Sequence, residues 1–209
     1  MTFILPYMEE APLFATMNLN GRDYDYCNGP ASPGATVIGN YICPDDEQSN
    51  KVMIYNNQYY FGMNSYFGNA GTKAWPLSNA KFDGVIYFNS RLKVAQITDG
   101  TSHTFLVGER NSADPTWTNS TPLSEFRGWA WNNYNSGQDS LGDTNSPMNS
   151  TSAAIGESNR KTNFGSGHSG GANFGYADGS CDFVTLGNSA DFTIYQRLSM
   201  REDGDVISQ

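Results

Sequence analysis

No run in this sequence approaches the roughly 18–20 consecutive apolar residues of a membrane-crossing helix. The opening residues Met1-Thr2-Phe3-Ile4-Leu5-Pro6 carry no basic charge and break at Pro6, so they do not read as a signal peptide. Positive charge is scarce: 12 Lys and Arg stand against 21 Asp and Glu, a formal net charge of -9. That balance excludes the basic footprint with which proteins replace the counterions of nucleic acid, and it disfavours docking on anionic lipid. The three cysteines, Cys27, Cys43 and Cys181, form no C-x-x-C pair, which argues against a zinc ribbon or a thioredoxin-type motif. A Cys27–Cys43 bridge would close a Gly/Pro-rich loop, and the spacing leaves bridge and free thiols equally open. Charged residues make up only 16% of the chain and hydrophobic residues only 38%.

The balance is filled by Asn, Ser, Thr, Gly and aromatics, with 12 Tyr, 12 Phe and 4 Trp. Chains that stay disordered lack such aromatics, so this one is expected to fold. Its 209 residues suffice for one well-buried core, giving one globular domain over 1–209. Aromatic and β-branched residues favour pleated surfaces, whereas Asn and Gly favour turns. The expected class is therefore α+β, predominantly antiparallel β, with long loops and a short helix towards each end.

Tyr7 to Asn18 places Leu13, Phe14 and Met17 at helical spacing, which predicts a short amphipathic helix behind Pro6. Strands are predicted at Val37–Cys43, at Val85–Phe88 and at Thr104–Glu109, the last launched from Asp99-Gly100-Thr101-Ser102. Lys51–Tyr55 and Gln58–Met63 read as a strand pair about Asn56-Asn57. Residues 111–161 form a long polar insertion interrupted by Phe126–Trp131, and loops of that length are usually functional or mobile. Asp178-Gly179 lies between two alternating runs, the mark of a type I′ hairpin. A two-residue loop there would pair Tyr176 with Cys181 and Phe174 with Phe183, burying all four on one face. Phe192, Tyr195 and Leu198 predict the inner face of a closing helix over Ser189–Met200.

Several residues could carry chemistry. Gly167-His168-Ser169-Gly170-Gly171 matches the G-x-S-x-G nucleophile elbow, but a strand is expected after it rather than a helix, and no His lies downstream. Gly165-x-Gly167-x-x-Gly170 fits a dinucleotide fingerprint without the helix that would hold a pyrophosphate. The bland reading is a tight glycine loop tethered by His168 to the neighbouring hairpin. His168 and Asp178 are open to a hydrogen bond, a metal pair or an acid–base pair. The hydrogen bond is preferred, because one His and one carboxylate are too few ligands for zinc. Asp45-Asp46-Glu47, Asp23 with Asp25, and Asp203-Gly204-Asp205 are oxygen-rich clusters that suit Ca²⁺ or are simply solvated turns. Trp75, Trp117, Trp129 and Trp131 lie in or beside Asn-rich segments, where aromatic faces and amides would grip a sugar or, equally, plug the core.

Beyond these, His168 is followed by nine residues and then Asp178-Gly179. Further landmarks are Leu5-Pro6-Tyr7-Met8-Glu9, Cys43-Pro44-Asp45-Asp46, Asp99-Gly100-Thr101-Ser102-His103-Thr104, Gly108-Glu109 and Phe164-Gly165-Ser166-Gly167-His168. In content and order they resemble the H-X9-DG prepilin-like family abundant in planctomycetes, catalogued as domain of unknown function 1559. The resemblance spans nearly the whole chain, with His103 where the family usually has Asn and Asp205 where it prefers Glu. It implies a pilin-head-like domain at the cell surface, extracellular or periplasmic. Members carry an N-terminal leader and apolar helix that do not occur here, so membrane attachment would run through that absent helix alone. It also implies a non-enzymatic subunit for fibre assembly or secretion, with other pilin-like subunits or a secretion apparatus as partners. The alternative is a solute-binding module that captures polysaccharide through its Trp and Asn residues.

Overall fold

A computed structural model describes residues 1–46, 50–110, 128–130, 140–150, 160–187 and 189–204. The chain is α+β, with antiparallel pairing dominant. It opens with a 3₁₀ segment at Thr2–Met8 and two one-turn helices, α1 (Ala11–Ala15) and α2 (Asp23–Cys27). The predicted helix over Tyr7–Asn18 is thus shorter and begins later. Glu9 adopts a left-handed conformation between the 3₁₀ segment and α1, which breaks helical continuity.

Strands β1 (Val52–Tyr55) and β2 (Tyr59–Gly62) form the expected hairpin. Asn56 and Asn57 both take positive φ at its turn, a conformation that Asn tolerates better than most residues. The larger sheet has the order β5-β3-β4-β6-β7, built from β3 (Tyr66–Asn69), β4 (Phe105–Glu109), β5 (Leu141–Gly142), β6 (Gly171–Tyr176) and β7 (Cys181–Thr185). Only β3 and β5 run parallel. Helix α3 (Ser189–Ser199) closes the sheet, with Tyr195 buried and Phe192 and Leu198 packed beside it as expected.

Two of the predicted strands do not form. Val37–Cys43 contains a 3₁₀ turn at Gly39–Tyr41, with the Tyr41 amide donating to Ile38 O. Val85–Phe88 never joins a ladder: the amides of Val85 and Ile86 both donate to Asn69 O, and the Ile86 side chain fills the space left by Gly68.

The Asp178-Gly179 turn forms, with a different register. Tyr176 N–H donates to Ser180 O and Gly179 N–H to Tyr176 O, and Gly179 alone of the two turn residues takes positive φ. This is a three-residue loop with a glycine bulge, not a two-residue type I′ turn. Gly175 therefore faces Cys181, and Phe174 faces Asp182. One residue of slip moves a strand's side chains to the opposite face. Val184 now packs inward, while Cys181 and Phe183 lie exposed on the outer side.

Hydrophobic residues gather in two main clusters. Leu5, Ile38, Tyr41, Phe61, Met63 and Trp129 bury the N-terminal third against the small hairpin. Phe67, Phe105, Phe164, Phe174, Tyr176 and Tyr195 fill the space between the large sheet and α3. Phe105 stacks on Phe174 with centroids 4.2 Å apart. Buried Asn69 joins the layers: its Nδ2 donates to Phe105 O and Ser199 O, each at 2.8 Å, while its Oδ1 accepts from Gly71 N. No helix among the described residues is long and apolar enough to cross a membrane.

Candidate functional site

A cleft is lined by Cys43, Asp46, Ser65, Glu109, Arg110 and Gly165 to Gly167. Cys43 reaches it from the loop after the 3₁₀ turn at Gly39–Tyr41. That loop is fixed by Ser65 N–H donating to Tyr41 O at 2.8 Å and by Asp46 N–H donating to Cys43 O at 3.0 Å. Glu109 stands at the end of β4 with its side chain only 2% exposed, so its carboxylate needs partners to be tolerated there. Its Oε2 accepts from the backbone N–H of Asn173 at 2.7 Å and from the Asn173 amide at 3.0 Å.

His168 arrives on the glycine loop before β6. Ser166 shapes that loop, accepting from His168 N–H and donating to Gly171 O at 2.7 Å. A Cβ at position 167 would stand 2.2 Å from the carbonyl oxygen of Asp45, so only glycine lets the loop pass this closely. The imidazole then sits among four groups. Nδ1 lies 2.7 Å from Asp45 Oδ2, and Nε2 lies 3.4 Å from Glu109 Oε1 and 3.5 Å from Cys43 Sγ. The Phe183 ring meets it edge-on, with centroids 6.0 Å apart.

Burial and the carboxylates beside the imidazole act on the neighbouring acids. The Cys43 thiol is pushed up by burial first, and further by the adjacent Glu109 and Asp45 carboxylates. Burial, with Cys43 and Glu109 nearby, pushes the Tyr66 hydroxyl up to about 12. A catalytic cysteine requires the opposite setting, an electropositive one that favours thiolate.

His168 and Asp178 do not meet. Asp178 is exposed, and its Oδ1 accepts from the N–H and hydroxyl of Ser180, which hold its carboxyl below the usual range. The expected tether between them is therefore replaced by the Asp45–His168–Glu109 arrangement. Asp99 is structural: its carboxylate accepts from the backbone N–H groups of Asp203 and Gly204 at 2.7 and 3.1 Å. Gly100 takes φ +99° and its carbonyl accepts from His103 N and Thr104 Oγ1, which turns the chain into β4.

The remaining candidates disperse. Asp45 and Asp46 face different partners, His168 and the Ser65 hydroxyl, rather than one cation. Asp203 sits at the Asp99-capped turn, and Asp205 and Glu47 lie outside the described residues. Asp25 caps the start of α2 by accepting from Arg22 N–H, and the side chain of Asp23 lies outside the described residues. None of the three cysteines is in a disulfide, so no Cys27–Cys43 bridge forms. Cys27 packs in the first cluster against Gly34, while Cys43 turns to His168.

Trp129 is 3% exposed and its indole N–H donates to Thr36 O at 2.8 Å, so it is a core residue and not a sugar platform. Trp75 is half-buried, and Trp117 and Trp131 lie outside the described residues. Ser169 is exposed in a turn followed directly by β6, without the helix of a nucleophile elbow or of a dinucleotide site.

Sequence reasoning named Cys43, Glu109 and His168 separately, each within a different landmark, and missed that they converge. The described residues contain one group of three or more His, Cys, Asp or Glu side chains able to hold an ion, and it is this one, with donor atoms within 4.8 Å of one another.

Fold and site define an α+β domain with a largely buried Cys–His–Glu cluster brought together from three separate segments. The chain belongs to the family described as "Protein of unknown function (DUF1559)", whose model matches residues 1–190. No curated protein and no solved structure matches it.

Proposed function

We propose that this domain is a non-enzymatic, pilin-like surface head that works by assembling with other subunits of its kind. The observation that carries this is the N-terminal 3₁₀ segment, which anchors Leu5 in the core yet turns Phe3 and Tyr7 outward at 72% and 88% exposure, with Ile4 beside them. Contiguous exposed apolar surface of this kind marks contact sites on otherwise polar proteins. It lies on the segment from which the resemblance to prepilins expects an apolar helix to lead. The occupant is a second subunit of the same class. Absence of catalysis is supported by the thiol setting at Cys43, which disfavours thiolate, and by the strand that follows Ser169.

Sedimentation of the wild type over rising concentration, beside a Phe3→Ser/Tyr7→Ser variant, tests the reading. Self-association that weakens at least tenfold in the variant, with unchanged circular dichroism, is the expected result. A wild type that stays monomeric at every concentration refutes assembly through this segment. The polysaccharide-capture alternative loses Trp129 from its contact set and rests on Trp75 among the described residues.

A further inference from the structure

We infer that Cys43 Sγ, His168 Nε2 and Glu109 Oε1 are three protein ligands of a divalent transition-metal site of the zinc class. Distances support it. A tetrahedral centre with metal–sulfur near ~2.3 Å and metal–nitrogen and metal–oxygen near ~2.0 Å sets neighbouring ligand atoms roughly 3.3–3.6 Å apart. The two measured edges are 3.5 Å from Sγ to Nε2 and 3.4 Å from Nε2 to Oε1.

The tautomer points the same way. With Nδ1–H donated to Asp45 at 2.7 Å, Nε2 presents its lone pair to a carboxylate oxygen and a sulfur. Without a metal the Cys43 thiol hydrogen-bonds to Glu109, and a divalent cation would take the place of that proton among the same three atoms. Carboxylate support behind a ligating imidazole is how metal sites fix ring orientation and raise basicity. The remaining oxygen of Glu109 is held by Asn173, leaving Oε1 for the metal. Asp45 and Asp46 lie nearby, and Arg110 lines the same cleft. Calcium is the wrong ion here, because a thiolate and an imidazole suit zinc-class metals and hard cations prefer oxygen alone.

The ligands come from the Cys43 loop, the end of β4 and the loop before β6. A metal there would fasten the Cys43 loop to the large sheet without a disulfide.

Cobalt(II) is the probe. Added to the folded, EDTA-stripped protein, it gives one equivalent of binding with a near-ultraviolet thiolate-to-metal charge-transfer band, displaced by zinc. The Cys43→Ser variant loses that band while keeping the wild-type circular dichroism, and Cys181→Ser retains it. Asp45→Asn, which touches only the back of the imidazole, keeps the band and weakens affinity about 10–100-fold. A folded wild type without the band overturns the assignment, as does a band that survives Cys43→Ser or follows Cys181. A Glu109→Gln variant that binds cobalt with undiminished affinity removes Glu109 from the ligand set and overturns the three-ligand site.

Discussion

Asp143 makes the stability of this fold depend on pH in the direction opposite to that of a salt-bridged acid. Its side chain is 1% exposed, at the end of β5. Oδ2 accepts from Ala74 N–H at 2.7 Å and from the Thr162 hydroxyl at 2.8 Å, and Oδ1 accepts from Asn145 N–H at 3.2 Å. Those bonds and the Arg110 charge favour the carboxylate, but burial outweighs them and raises the pKa to about 6 from 3.8. The folded chain thus holds a proton that the unfolded chain releases over this range. The stabilisation is complete below the unfolded value, declines as pH rises, and is gone above about 6. The difference in pKa corresponds to about 3 kcal/mol. Urea unfolding of the wild type and of Asp143→Asn at half-unit steps from pH 4 to pH 7.5 isolates this group from the other acids. The stability of wild type minus variant should fall by about 2–3 kcal/mol from pH 4 to pH 7.5, levelling off above about 6. A flat difference, or one that rises with pH, refutes the reasoning.

The aromatic stack beneath α3 should be equally exacting. Phe105→Ala removes a fully buried ring in contact with Phe174, Tyr176 and Tyr195, and should cost about 3–5 kcal/mol in urea unfolding, against less than about 1.5 kcal/mol for Phe105→Leu. Equal losses in the two variants would show that the ring is not packed as described. Thiol labelling of the native protein should modify Cys181 rapidly, and Cys27 and Cys43 only on unfolding, because only Cys181 is exposed. Mass spectrometry of the labelled peptides reads the order, and early labelling of Cys43 would contradict the burial of the cleft.

Much of this fold is written locally. Asn56-Asn57 between two aromatic runs yields β1 and β2, the run after Asp99-Gly100 yields β4, and the spacing of Phe192, Tyr195 and Leu198 yields α3. What failed depends on partners far along the chain. Val85–Phe88 has strand-like residues but is used to cover Gly68: the Val85 and Ile86 amides share one carbonyl, the Tyr87 amide turns to Ser90, and no ladder forms. At Asp178-Gly179 the turn residues fitted two loop lengths, and the one-residue difference decided which face holds Cys181 and Phe183. The Cys43–Glu109–His168 cluster is the extreme case, since nothing near position 43 announces positions 109 and 168. Asp178 drew attention by its place in the motif, yet its work is confined to the turn. Trp129 looked like a sugar contact because the long segment around it is polar and Asn-rich, whereas its neighbours in space are Tyr41 and Thr36.

The seal at Ser199 to Gly204 has a consequence in time as well as in space. Ser199 O accepts from Asn69, Arg201 O accepts from the amides of Thr98 and Asp99, and Asp99 in turn grips the amides of Asp203 and Gly204. Every strand of the large sheet precedes these residues, so the strands emerge before their cover. Phe105 and Phe174 face water until Tyr195 arrives. The N-terminal cluster draws almost wholly on early residues and needs no such wait. A chain emerging from a ribosome or a translocation pore would therefore hold one finished half and one open half, and the open half is where a chaperone would bind.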